Sequence, residues 1–206
     1  MTVPPPDGTG SSRWRALGER SLYDSPWVRL HLIDVVHPDG HRYEHHALRQ
    51  PSPAVACLVR RSSPAGPGAP DPGSEEVLLL WRHRLVPDAW GWEVPAGRLE
   101  AGETVEAAAA RETREETGWA VTDVRHLTGF HPIGGMGDHR FEVCSARAVA
   151  QVGEPDPVES DRVEWVALPR VRELVLAGQV QEGLSLVALM WALSGLDAGA
   201  APRPGS

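Results

Sequence analysis

Glu112, Glu115 and Glu116 are spaced i, i+3 and i+4, so on a helix their carboxylates share one side. Like charges at that spacing destabilise an isolated helix, and the usual gain that keeps them together is a hard divalent cation. Mg²⁺ takes oxygen ligands and retains waters, so it can bridge such a cluster to a phosphate-bearing substrate. Arg111 and Arg114 lie in the same segment and can orient the carboxylates, and Glu103 can do so from the loop before it. Taken alone, a charge run more often marks a solvated helix face laced with Arg–Glu pairs. The flanking residues decide between the two.

Those residues are Gly97, Glu103, Arg111, Glu112, Glu115, Glu116 and Gly118, which stand in the spacing G-x5-E-x7-R-E-U-x-E-E-x-G-U. With each type at about 10% usage, seven fixed positions coincide at roughly one start point in ten million. In this segment the chain resembles the Nudix hydrolases. Thr113 departs from the pattern, standing where the family prefers an aliphatic residue, and Trp119 fills the last apolar position. The resemblance implies a loop–helix–loop that binds Mg²⁺ or Mn²⁺ and hydrolyses a diphosphate linked to another group. On that reading Glu112 and Glu116 are direct metal ligands, the main-chain carbonyl of Ala96 is a further one, and Glu115 is a ligand or holds the attacking water. Arg111 and Glu103 would orient these groups.

The likeness runs over roughly residues 20 to 195. Glu93-Val-Pro95-Ala-Gly97 is similar to the E-x-P-A-G segment of ADP-ribose and nucleoside-diphosphate-sugar pyrophosphatases. Arg84 closes Trp81-Arg82-His83-Arg84, where that subfamily ends a strand in Gln-Tyr-Arg. It is therefore a candidate phosphate or ribose contact, the alternative being a strand-end pair with a surface carboxylate. An N-terminal hairpin like residues 27–48 mediates a swapped homodimer in that subfamily. Trp27 is the candidate to stack on a base, with a core or interface role as the alternative. In the Gly-rich loop 131–139, Asp138 or His139 takes the place of an expected Glu. Glu159-Ser-Asp161-Arg-Val-Glu164-Trp resembles the segment holding the family's mobile carboxylates. It offers Glu159 as general base and Asp161 as an additional metal contact, with Glu164 on the following strand; a polar loop before a strand is the alternative. The implied reaction splits ADP-ribose or another nucleoside diphosphate sugar into a nucleoside monophosphate and a sugar phosphate. A (d)NTP, a dinucleoside polyphosphate, or a non-catalytic nucleotide-sugar sensor remain the alternatives.

The elements that must position these residues follow from pattern. Residues 27–36 alternate as a strand, Pro38-Asp39-Gly40 is turn chemistry, and 41–48 returns. Short apolar strands are expected at 53–60 and 77–81, pairing across a Pro-rich loop at 62–76, and further strands at 121–127, 141–149 and 163–166. Helices are expected at 104–117, 168–177 and 181–193. The order predicts an α+β class with helices on a mixed sheet, and the resemblance implies the Nudix fold, a mixed β-sheet sandwiched between α-helices, with an N-terminal β-hairpin. One domain over 13–196 is expected between disordered tails at 1–12 and 197–206.

Composition agrees. The 206 residues carry a formal net charge of −8 and no basic run, which argues against a nucleic-acid partner and for a metal to offset any nucleotide's charge. The two cysteines, Cys57 and Cys144, suit neither a disulfide framework nor a zinc site. No apolar run is long enough to cross a membrane, and the residues at the N-terminus lead us to expect no secretion signal. A small-molecule nucleotide-sugar substrate in a reducing cytoplasm, with no nucleic acid or membrane partner, is the expectation.

Overall fold

Three antiparallel strands open the described chain: β1 (Arg15–Asp24), β2 (Arg29–Val36) and β3 (Arg42–Arg49), forming one sheet in that order. β2 and β3 are the expected hairpin, and it buries Leu32 on one face and Val35 with Ala47 on the other. β1 has no such signal. Its register slips twice against β2 and all ten of its residues are exposed, so main-chain pairing rather than side-chain burial holds it. Residues 133–139 join this sheet, where Leu48 N–H donates to the Met136 carbonyl at 2.7 Å.

The computed structural model describes residues 13–63 and 74–196. The expected tails, and most of the 62–76 loop, lie outside the described residues. Two compact units divide the chain: residues 13–51 with 133–139, and the remaining described residues.

The second unit is built on β4 (Ala54–Ser62), β5 (Glu75–Arg84), β6 (Ala89–Glu93), β7 (Ala96–Arg98), α1 (Val105–Thr117), β8 (Trp119–Phe130), β9 (Phe141–Gln151), β10 (Arg162–Ala167), α2 (Leu168–Leu176) and α3 (Gly183–Ser194). Its sheet runs β10-β5-β4-β9-β8, with β6 on β5 and β7 on β4. β4 and β9 are parallel and the other neighbours antiparallel, so the sheet is mixed. Strand alternation sends Val55, Cys57 and Val59 to one face, against Ala108 and Ala109 of α1. Ala56 and Leu58 point the other way, into a cluster with Val171 and Leu174 of α2 and Leu184, Ala188 and Leu189 of α3. The helices therefore cover both faces, and the apolar stripe of α3 is core. Cys57 and Cys144, opposite one another on β4 and β9, are free and buried, and burial pushes both thiols up to about 12.

Local chemistry fixes both ends of α1. Thr104 caps it by accepting from Ala107 N–H at 3.1 Å. Thr113 tolerates its fully buried place because its hydroxyl donates to the Ala109 carbonyl at 2.7 Å. Gly118 ends the helix at φ +73°, and a Cβ there would lie 2.1 Å from the Gly153 carbonyl oxygen. Gly118→Ala must meet both the left-handed strain and a clash with main chain. We expect a loss of more than about 2 kcal/mol, read as a lower denaturant midpoint; an unchanged midpoint would contradict the cap.

Candidate active site

α1, the end of β5, the start of β7 and the 152–161 loop together wall one cavity of about 260 Å³. Arg82, Arg84, Ala96, Gly97, Glu112, Glu115, Glu116, Asp156 and Glu159 line it. Helical periodicity brings the glutamates of α1 there, as their spacing implies. Glu116 is only 5% exposed. One of its oxygens accepts from Ala96 N–H at 2.9 Å and the other faces Arg82 Nη2 at 2.8 Å. Burial nevertheless outweighs these partners and pushes its carboxyl up to about 7. Glu112 is raised too, again chiefly by burial.

Arg111 is the hub beneath them. Its Nε and Nη2 grip Glu103 at 3.0 Å each, Nη2 also donates to the Arg98 carbonyl at 2.9 Å, and Nη1 reaches Glu112 at 2.9 Å and Glu115 at 3.1 Å. The guanidinium holds the Glu103 carboxyl below its ordinary value. The orienting role expected of Arg111 and Glu103 therefore has a geometric basis.

Gly97 makes room for this arrangement. A Cβ on it would sit 2.0 Å from the Glu112 carboxylate, so any side chain would evict that group. Because the clash is with the end of a flexible side chain, Gly97→Ala should leave the melting temperature nearly unchanged. Activity should fall roughly tenfold to a hundredfold, measured as kcat on the best substrate. A variant with full activity would mean that Glu112 works from elsewhere.

Of the other expected site residues, Glu159 lines the cavity from the loop, and Arg84 lines it while forked onto buried Glu93 at 2.9 and 2.5 Å. Asp161 is absent from the lining. It starts the β10 ladder through its N–H to the Trp81 carbonyl at 2.9 Å, and its side chain lies 3.9 Å from Arg162. Asp156 stands in the wall instead. Glu164 is on β10, as expected. Trp27, Asp138 and His139 belong to the other unit. There Trp27 is 69% exposed, while Asp138 accepts from Arg49 Nη1 and Gln50 N–H, both at 3.1 Å. Three residues of the second unit were not singled out from sequence: Arg82, Glu93 and Asp156. For Arg82 a signal existed, since residues two apart on a strand share a side and Arg84 was already a candidate.

The donor set is all oxygen: the carboxylates of Glu112, Glu115 and Glu116, with Ala96 beside them. That chemistry suits a hard divalent cation such as Mg²⁺ or Mn²⁺. In this structure Arg111 and Arg82 engage these carboxylates, and among the described residues no three His, Cys, Asp or Glu side chains converge on one point.

This helix, sheet and acidic cavity define a class. A NUDIX domain model matches residues 51–186, and the chain belongs to the Nudix family as a diphosphate hydrolase. A CMP-5'-(N-acetyl-N-hydroxy-3-aminopropyl)phosphonate hydrolase of Streptomyces rubellomurinus is 33% identical over 194 residues, covering 94% of this chain and 87% of that protein. The ADP-ribose pyrophosphatase of Bacillus subtilis is 24% identical over 180 residues, covering 86% and 91%. A solved structure described as an ADP compounds hydrolase shares the fold at a TM-score of 0.75 and 16% identity, covering 90% of this chain and 95% of its own. Among the described residues no helix is long and apolar enough to cross a membrane.

Proposed function

We propose that the protein catalyses metal-dependent hydrolysis of the phosphoanhydride in a nucleoside diphosphate linked to another group. ADP-ribose or a related nucleotide sugar is the leading substrate, released as a nucleoside monophosphate and a sugar phosphate. The observation that carries this reading is the facing of Glu112, Glu115 and Glu116 of α1 by Glu159 across one cavity. When bound there, a divalent cation would polarise phosphorus and lower the pKa of a water. Glu112 and Glu116, with the Ala96 carbonyl, would hold it, and Glu115 would hold the cation or the attacking water. Glu159 is the group to accept that water's proton as oxygen adds to phosphorus and the bridging P–O bond breaks. Arg111 and Glu103 keep the helix carboxylates in place. Arg84 is offered as the phosphate-side cation. We further propose a cytoplasmic homodimer through the N-terminal hairpin, to be read by light scattering as twice the chain mass.

A second reading is favoured by the Streptomyces relative, whose likeness spans nearly the whole chain. In it the substrate is a cytidylyl-linked phosphonate, cleaved at the same P–O–P bridge. The test offers ADP-ribose, ADP-glucose, GDP-mannose, dGTP and a CMP-linked aminopropylphosphonate, with Mg²⁺, with Mn²⁺ and with chelator. Turnover of a nucleotide sugar that chelator abolishes supports the leading reading. Turnover of the phosphonate alone moves the substrate to the second reading. If dGTP alone turns over, both are overturned; a melting-temperature rise without any turnover would point to a sensor.

A further inference from the structure

Arg82 has no part in the reading above, yet it lines the cavity. It is only 4% exposed, and its guanidinium faces three carboxylates: Glu116 at 2.8 Å, Glu159 at 3.7 Å and Glu93 at 3.8 Å. Glu93 does not need it, because Arg84 already grips both Glu93 oxygens. The other two carboxylates come from different elements, α1 and the 152–161 loop. Burying a guanidinium is costly, and a buried ion pair replaced whole by apolar side chains of similar volume is commonly as stable or more so. A charge kept here therefore invites a role other than stability.

The loop's own bonds sharpen the point. Its start is tied to the end of α1, where Val152 N–H donates to the Gly118 carbonyl at 2.8 Å, and its end is tied to β5 through Asp161 N–H. Between them the bonds close locally: the N–H groups of Val158, Glu159 and Ser160 all donate to Asp156. They shape the turn without fixing where it lies over the helix. Among the described residues, the side-chain tie from this turn to the catalytic helix runs through Arg82. Its fork, with nitrogens separated in one plane, can address two carboxylates at once.

We propose that Arg82 pins the turn carrying Glu159 over Glu116, acting as a positioning residue for the hydrolytic step. This rests on the assignment of Glu159 as general base. Freed from Arg82, the turn would sample positions in which Glu159 is out of reach of the attacking water. That lowers the fraction of bound complexes that react, while leaving the substrate's binding contacts in place.

The test compares Arg82→Gln, Glu159→Gln and the double variant in the full chain. In metal-free protein, amide exchange over 153–161 should quicken several-fold in both single variants, while α1 stays protected. Unchanged exchange in that segment overturns the proposal. In turnover, Arg82→Gln should lower kcat roughly tenfold to a hundredfold at constant KM, with Arg82→Lys in between. Added to Glu159→Gln it should lower kcat no further, because the two act through one another. Losses that multiply overturn the pinning. If Glu159→Gln is fully active and yet its turn exchanges faster, the general-base assignment fails while the tie stands. Should Arg82→Gln not fold, Glu159→Gln still reads the tie from its half-exposed end.

Discussion

Glu116→Gln should yield a folded protein whose kcat is lower by roughly a thousandfold or more, because an amide cannot supply the charge that a hard cation requires. The shape is conserved and the Ala96 N–H can still donate to the amide oxygen, but the amide nitrogen then faces Arg82, so folding is checked by thermal melting before kcat is compared. A second signature separates this from a simple packing defect. Burial raises the Glu116 carboxyl from 4.5 to about 7 in the folded chain, so the folded state binds a proton that the unfolded chain has released. The stability this confers is fully present below about pH 4.5 and is lost as pH rises through about 7. The glutamine variant has no such proton. Relative to the native protein in chelator, it should therefore gain stability steadily from about pH 4.5 to about pH 7 and then level off. Urea unfolding at several pH values reads this directly. A difference that stays flat over that range would mean that Glu116 is ionised throughout, and that its burial is overcome by Arg82.

How much of this was legible beforehand depends on where each residue's partners lie. α1 could be read almost in full, since its stop at Gly118 and its i, i+3, i+4 carboxylates are local patterns; Thr104, expected as its first residue, is instead its cap. The β4 and β5 strands could be read because both of their faces are apolar. β1 could not: with every residue exposed, no periodicity records its place, and its hydrogen bonds to β2 and the pairs of Glu19 with Arg49 and Arg20 with Glu44 define it. β6 and β7 are short and sit inside a segment whose other features dominate; β6 is the return of a hairpin from β5, whereas β7 is specified by β4, a strand remote in sequence. The same reason hid Arg82. Its meaning lies in Glu116 and Glu159, neither of which is near it in the chain, whereas Arg111 finds three of its carboxylates within one helix and the loop before it. The choice between Asp156 and Asp161 turned on a local detail. Asp156 accepts from Val158, Glu159 and Ser160, and that turn sets which acidic residue enters the wall. A short run of acids in sequence does not reveal it.

Arg111→Lys is the more discriminating of two changes at the hub, because it keeps the charge and removes the fork. The guanidinium makes five bonds, to Glu103 twice, to Glu112, to Glu115 and to the Arg98 carbonyl. An ammonium is a single point and can address only part of that set at once. We expect kcat to fall about a hundredfold in Arg111→Lys and about a thousandfold in Arg111→Ala. KM should change little, since Arg111 bonds to the catalytic carboxylates and not to substrate. The alanine variant should also lose about 1–3 kcal/mol of stability, because partly buried carboxylates are left facing each other. Glu103 supplies the pH signature. Arg111 lowers its folded-state pKa, so this contribution is present above the ordinary carboxylate range and disappears as pH falls through the lowered value. Arg111→Ala should accordingly narrow its stability deficit in acid and show it in full near neutrality. Retention of native kcat by Arg111→Lys would show that charge alone suffices, and that the carboxylates of α1 are placed by the helix without the fork.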